Sequence, residues 1–263
     1  MTNQITNSTN TVRAGDLFLY LLPLIIFLII WTILTEGKPE AQFIFSSPSQ
    51  VYYSFIKLSA NGDLLRNSMI TIIEALCGFF LGTISGAIIG LCLWYSQTIA
   101  RIAKPYITAL ATIPIFALAP IIIVWFGIGL WSKIMLAFIS TVSVAIVQSY
   151  QGAMSVEPRF LRFMQVVGAK RSQVFRTVVI PSSLIWVINA AKLNIGLALL
   201  GAFIGEFISS EQGLGYMIVK ASGLYDMATV IVGIIALIVI ALILTNLVEV
   251  LERYVLKWKY VIQ

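Results

Sequence analysis

The sequence predicts an all-α, polytopic membrane protein with about six transmembrane helices. Three observations carry that reading. Of 263 residues, 59% are hydrophobic and 11% charged, with a mean hydropathy of +0.97, whereas soluble chains are apolar in only about half of their residues. Several apolar runs exceed the roughly 18 residues needed to cross a bilayer. The net charge of +6 is concentrated between and after these runs, as expected of loops held on one side of a membrane.

In chain order, residues 1–16 form a polar N-terminal segment, and no cleavable leader is expected, because the next run is long enough to span. Leu17–Leu34 is the first span, with Pro23 inside it. Thr35–Ser49 reads as a loop, and Gln50–Ser59 as a short interfacial helix with Val51, Phe55 and Leu58 on one side. Leu65–Ser96 is the second span. Tyr106–Phe126 is the third, interrupted by Pro114 and Pro120, each of which removes a backbone donor. Leu130–Tyr150, Ser182–Ile208 and Ala228–Val248 complete the six. Residues 17–263 are therefore one transmembrane domain.

Between the fourth and fifth spans, at about residues 155–181, lies a basic, amphipathic stretch holding Arg159, Arg162, Lys170, Arg171 and Arg176. Phe160, Leu161, Met164 and Val167 recur at helical spacing, giving one apolar and one basic face. Pro158 suits a first helical turn, Gly168 permits a reversal, and Ser172 is placed to cap a second short helix running to Pro181. This elbow is too short and too charged to cross a bilayer. Two readings stand: an apolar face that docks a partner, or an interfacial helix resting on lipid headgroups.

Six spans put both termini on one side with Arg13, Arg101, Lys104, the elbow and the Arg253, Lys257, Lys259 cluster. Lys38, Lys57, Arg66, Lys133 and Lys220 fall on the other, diluted by Glu36, Glu40, Asp63, Glu211 and Asp226. The basic excess places the termini and elbow in the cytoplasm. No basic run has the density of a nucleic-acid surface.

Enzyme chemistry is not expected. The chain has no His, the commonest general base and metal ligand, and no Gly-x4-Gly-Lys-Ser/Thr loop for a nucleotide's phosphates. No metal-ligand set is evident. Cys77 and Cys92 fall on one helix about 22 Å apart, beyond disulfide reach.

Several intramembrane positions stand out. Gly78, Gly82, Gly86 and Gly90 recur every four residues on the second span, a stripe that lets a neighbouring helix approach closely, either as fixed packing or as a sliding or dimer surface. Glu74, Lys192 and Glu206 are ionisable groups within apolar spans, where they must face protein or water. Lys192 and Glu206 share one helix face but lie about 21 Å apart, so they cannot pair. A Glu74–Lys192 pair is one reading of the other two.

Four motifs in order resemble a family. Gly168-Ala, Val178, Ile180 and Pro181 are similar to the coupling loop of bacterial ATP-binding-cassette (ABC) importer permeases, Glu-Ala-Ala, three residues, Gly, nine residues, Ile, one residue, Leu-Pro; Arg162, Phe163 and Met164 stand where Glu-Ala-Ala is usual. Ser46-Ser-Pro-Ser-Gln-Val51, Trp125-Phe-Gly-Ile-Gly129 and Gly205-Glu-Phe-Ile-Ser-Ser-Glu-Gln-Gly-Leu-Gly215 resemble the permeases of sulfonate, taurine and nitrate importers, over about residues 43–258. The resemblance implies the type I ABC importer permease fold and a transport role in the bacterial cytoplasmic membrane. It implies a second permease subunit, most simply an identical one, a cytoplasmic ATPase dimer that alone uses ATP and Mg, and an external substrate-binding protein. It assigns ATPase coupling to Phe160, Arg162, Met164, Gly168 and Ala169, and the pathway or its gate to Pro114, Phe116, Lys192 and Glu206. The implied substrates are small anions such as sulfonates, taurine or nitrate, or vitamin precursors such as thiamine pyrimidines and riboflavin. The competing class is an ion-gradient-driven secondary transporter using Glu74, Lys192 and Glu206.

Overall fold

In the computed structural model the backbone is described over residues 14–255 and the side chains over 22–254. Residues 1–13, including Arg13, and Lys257 and Lys259 lie outside the described residues. Every described regular element is helical.

The chain opens with α1 (Ala14–Thr35), followed by α2 (Pro39–Phe45) and α3 (Pro48–Ala60). The segment expected to be a loop thus contains α2. Its signal was present: Pro39 and Pro48 each open a helix, where a missing N–H costs nothing, and Ser47 Oγ caps α3 by accepting from Gln50 N at 3.3 Å. Next come α4 (Asp63–Cys92), a single 3-10 turn (Leu93–Tyr95), α5 (Gln97–Thr112) and α6 (Ile115–Phe126). α7 (Leu130–Met154), α8 (Pro158–Val166), α9 (Arg171–Val174), α10 (Ile180–Ile208), α11 (Leu214–Gly223) and α12 (Met227–Val255) complete the order.

Among the described residues four helical stretches are long and apolar enough to cross a membrane: Asp63–Tyr95, Leu130–Met154, Arg171–Ile208 and Met227–Tyr254. The predicted third span is two helices, α5 and α6, bent by 95°. The break falls at Ile113-Pro114, whose extended backbone precedes α6, while Pro120 is accommodated within α6. α1 is 22 residues long, but its apolar part with described side chains, Leu22–Thr35, is short.

The core is a three-helix bundle of α4, α7 and α10. Small residues set it. A Cβ added at Gly78, Gly82 or Gly86 would fall 2.8, 2.8 or 2.6 Å from the carbonyl oxygens of Ile134, Phe138 and Val142. Partners advancing in matched steps of four along both helices mean that α4 and α7 run parallel. Gly90 continues the row against Ser149. The glycine stripe is therefore packing within this chain, backbone against backbone. On the other face of α7, Gly201 meets Ala137 and Gly205 meets Lys133; here one number rises as the other falls, so α10 runs antiparallel to α7. Ala75, Phe79, Ala137, Ala198, Ala202, Met217, Ile240 and Leu244 fill the interior between these helices, α11 and α12. α6 rests on α7 and α10 through Ala119, Ile122, Leu136 and Ile204. Large apolar side chains such as Phe80, Ile84 and Ile88 on the outer face of α4, and Leu242 and Leu247 on α12, are exposed, the arrangement of a bundle solvated by hydrocarbon.

Candidate functional site

Two sites lie at opposite ends of α4, whose 30 residues span about 45 Å. One is the elbow. Gly168 adopts φ +72° with open space around its Cα, and the chain reverses there as expected. The second arm differs from expectation. Ser172 does not cap it: Lys170 is the N-cap residue, and its backbone N–H donates to Gln173 Oε1 at 2.7 Å. Nor does the arm end at Pro181. Residues Arg171–Ile208 form one continuous helix of 38 residues, with a π-helical stretch at Phe175–Val179 where Ile180 N–H donates to Phe175 O. The second arm of the elbow and the fifth span are one rod.

The elbow's apolar residues divide between two faces. Leu161, Met164 and Ala169 turn inward against Val156, Val174, Val179 and Trp94. Phe160, Phe163, Val166 and Val167 turn outward, with Val166 88% exposed. Arg162 and Gly168 are also exposed. Of the five residues assigned to coupling, Phe160, Arg162 and Gly168 are thus exposed, whereas Met164 and Ala169 brace the elbow from behind. Periodicity alone merged the two faces because they adjoin on one helix.

A basic-aromatic staple holds the elbow's second arm to the 3-10 turn that follows α4. The Arg171 guanidinium lies 5.2 Å from the Trp94 ring centroid and 5.8 Å from that of Tyr95, and it donates to Trp94 O at 3.3 Å. Phe175 stacks on Trp94 at 5.7 Å and contacts Tyr95 at 4.7 Å.

The second site is a buried polar latch at the far end. Glu206, 1% exposed on α10, accepts from Thr71 Oγ1 at 2.7 Å and from Gly215 N–H at 2.6 Å. Thr71 Oγ1 in turn accepts from Leu214 N–H at 2.9 Å, and Asn67 Oδ1 accepts from Gly213 N–H at 2.8 Å. Three side chains of α4 and α10 therefore satisfy three consecutive N–H groups opening α11. Gly213, at φ +105°, is required here, since a Cβ on it would collide with the Glu206 carboxylate. Gly213-Leu-Gly215, the end of the last sequence motif, is a turn and the start of α11, a helix absent from the sequence reading.

Glu74 (3% exposed) and Lys133 (2%) adjoin the latch. The Glu74 and Glu206 carboxyl groups contact each other, and Glu74, Glu206 and Glu211 all lie within electrostatic reach of Lys133. Glu74 Oε2 has no hydrogen-bond partner among the described residues. The Lys133 ammonium donates to the carbonyls of Ile128 and Gly129, the latter at 3.1 Å.

The supposed Glu74–Lys192 pair is not formed. Lys192 pairs instead with Glu252 of α12, and Glu74 with Glu206 belongs to the latch. The three ionisable residues of the gradient-driven reading are thus divided between two separate clusters. Asn194, fully buried, donates to Thr83 Oγ1 at 2.9 Å and joins α10 to α4. Pro114 sits at the bend between α5 and α6, and Phe116, one residue into α6, is 52% exposed.

Comparison with known proteins follows this geometry. The family model described as "binding-protein-dependent transport system inner membrane component" matches residues 78–257. The aliphatic sulfonates transport permease SsuC of Bacillus subtilis is 29% identical over 91% of this chain and 86% of its own length. The riboflavin transport permease RibX of Chloroflexus aurantiacus is 32% identical over 90% and 88%. The formylaminopyrimidine transport permease ThiX of Halalkalibacterium halodurans is 28% identical over 88% and 92%. Among solved structures, an inward-facing methionine ABC transporter, MetNI, superposes with a TM-score of 0.67 over 75% of this chain and 98% of that one, at 17% identity, a likeness of fold.

Proposed function

Because the chain belongs to the binding-protein-dependent transport system inner membrane component family, and is thus a permease subunit of an ABC importer, we propose that its elbow is the surface that receives a cytoplasmic ATPase. One observation carries this: Phe160, Phe163, Val166 and Val167 form an exposed apolar face on α8, whose inner side, Leu161 and Met164, packs on Trp94 at the end of α4 and on Val174 of the helix continuous with α10. Movement of that face is therefore delivered to two of the three core helices at once. A headgroup-resting helix would need no such rigid connection to the bundle.

On this reading both termini and the elbow are cytoplasmic, a placement supported by the excess of basic residues in the sequence, and the latch faces outward. Two copies of the chain surround one pathway, to which α6, Pro114 and Phe116 contribute. ATP binding by the partner, which alone uses Mg and nucleotide, draws the elbows together. The coupled α4–α10 unit then turns the pathway outward, an external binding protein releases its ligand, and hydrolysis restores the inward state. The energetic link between elbow and pathway is a coupling between two states, spanning about 45 Å. The substrate belongs to the group served by the relatives, small sulfonates or heterocyclic vitamin precursors, with selectivity in the binding protein. Lys192 draws no anion on its own account, because Glu252 matches its charge.

The test is co-expression with the adjoining ATPase and binding-protein genes and an ATPase assay in lipid nanodiscs. Gly168→Asp leaves the complex assembled but abolishes ligand-stimulated hydrolysis, because it strains a backbone at φ +72° and places a charge at the docking turn. Wild-type stimulation in Gly168→Asp refutes the docking role. A chain that purifies without any ATPase refutes the whole reading.

A further inference from the structure

α6 lies on α7 and α10 through a shallow apolar contact of Ala119, Ile122, Leu136 and Ile204. Such a contact resists separation but permits sliding, since neither partner presents a directional group. The loop after α6 supplies one. Gly127 ends the helix at φ +77°, and the next two carbonyls, those of Ile128 and Gly129, both accept from Lys133 Nζ. The Lys133 stem reaches them by lying flat on α10. A Cβ at Gly205 would stand 2.9 Å from Lys133 Cγ and 3.0 Å from Leu136 Cδ1, so only glycine leaves the stem its room. A buried ammonium is tolerated only where polar groups meet it, and beside the two carbonyls the carboxyl groups of Glu74 and Glu206, with Glu211 at the rim, lie within its electrostatic reach. Lys133, Glu74, Ile128, Gly129 and Glu211 together wall a cleft of about 430 Å³.

Resting on the permease reading above, we propose that Lys133 is a positioning residue that fixes the register of the broken span α5–α6 against the Glu206 latch, and so sets the shape of the pathway wall. Buried ion clusters add little to stability compared with well-packed apolar substitutes, and their best-attested use is to specify one arrangement. Here the arrangement specified is the position of α6, the one core-packed helix whose contact is otherwise smooth.

The experiment uses the complete transporter in nanodiscs, with Cys77 and Cys92 replaced by Ser and spin labels at positions 124 and 224, both exposed, diluted with unlabelled chain. The key variant is Lys133→Met combined with Glu74→Gln, which removes the ammonium together with the carboxyl group beside it and roughly keeps both side-chain sizes. The distance distribution between the labels, narrow in wild type and in Glu74→Gln, broadens in the double variant. Ligand-stimulated transport falls at least tenfold, while unstimulated ATP hydrolysis stays within twofold. Gly205→Ala, which alters no charge but presses on the Lys133 stem, broadens the distribution as well, and it decides the matter should the double variant fail to fold. A wild-type distribution and wild-type transport in the double variant, or a wild-type distribution in Gly205→Ala, overturns the proposal. The label distances decide the role of Lys133 even if no ATPase partner is found, so its failure and that of the permease reading are distinguishable.

Discussion

Thr71 is the residue on which the latch can be tested most sharply. Its hydroxyl donates to Glu206 Oε1 at 2.7 Å and accepts from Leu214 N–H at 2.9 Å, in a fully buried setting. Thr71→Val preserves the branched shape and removes both bonds. The bond to a carboxylate is worth about 1.5–3 kcal/mol, and an orphaned buried N–H costs about 1–3 kcal/mol. The sum is about 4 kcal/mol, a fall in melting temperature of roughly 8–16 °C for a domain of this size. Thr71→Ser keeps both bonds and loses one methyl, about 1 kcal/mol, or roughly 2–4 °C. The alternative magnitude also matters. Interhelical hydrogen bonds in membrane bundles average about 0.6 kcal/mol, because the unfolded helices find other partners in the bilayer. On that figure the two bonds would total about 1 kcal/mol and Val would match Ser. The latch differs because Leu214 N–H opens a helix and has no intrahelical acceptor. Differential scanning fluorimetry of both variants in nanodiscs separates the cases. Thr71→Ser falling as far as Thr71→Val refutes the hydrogen-bond account of the latch.

Two further outcomes follow from the packing. Gly86→Ala places a methyl 2.6 Å from Val142 O, a backbone atom that cannot give way, so the α4–α7 seam loosens at a cost of about 1–3 kcal/mol; Gly196→Ala meets nothing within 4 Å and gains roughly 0.5–1 kcal/mol of helix propensity, and melting temperatures that fail to move in opposite directions refute the assignment. Arg171→Ala loses its carbonyl bond and its place over Trp94, an exposed contact of about 0.5–1 kcal/mol, so the complex stays folded while ligand-stimulated ATP hydrolysis falls severalfold. Unchanged stimulation would show that the staple transmits nothing.

Four of the six expected spans, the second, fourth, fifth and sixth, were legible, because hydropathy over 20 residues does not depend on what packs beside them. The glycine stripe was legible for a related reason: a spacing of four is an intrinsic property of one helix. What escaped depended on neighbours. Lys133 read as a loop charge, since only the seating of α7 on Gly205 shows that its stem turns inward; the available signal was its place one helical turn beyond Gly129 and opposite the apolar outer face. Phe160, Leu161, Met164 and Val167 read as one apolar face until Trp94 and Phe175 fixed Leu161 and Met164 inward and left Phe160 and Val167 outside. α11 was missed because Tyr216 and Lys220 dilute a ten-residue helix below the hydropathy of a span. The 95° bend at Pro114 was foreseeable as a break, but its angle belongs to the packing of α6 on α7.

The continuity of the elbow's second arm with α10 has its own cause in the sequence. Pro181 cannot donate to Thr177 O, and its ring would crowd that carbonyl in a regular α-helix. The chain could break there, as it does at Pro114. Instead it widens: Ile180 N–H reaches back five residues to Phe175 O, and the π-helical turns carry the rod past the proline. The different outcome at the two prolines follows from what surrounds them. Pro114 is exposed at the end of α5, with no packed neighbour to oppose a bend. Val174, Val179 and Phe175 are gripped by Val156, Leu91 and Trp94, so bending at Pro181 would expose a buried apolar cluster. The same cluster that braces the elbow from behind therefore keeps the elbow's second arm one piece with the fifth span. A push on Phe163 or Val166 passes through the apolar cluster behind α8 to Val174 and Phe175, and from there along an unbroken helix into the bundle, which is the mechanical property an ATP-driven elbow requires.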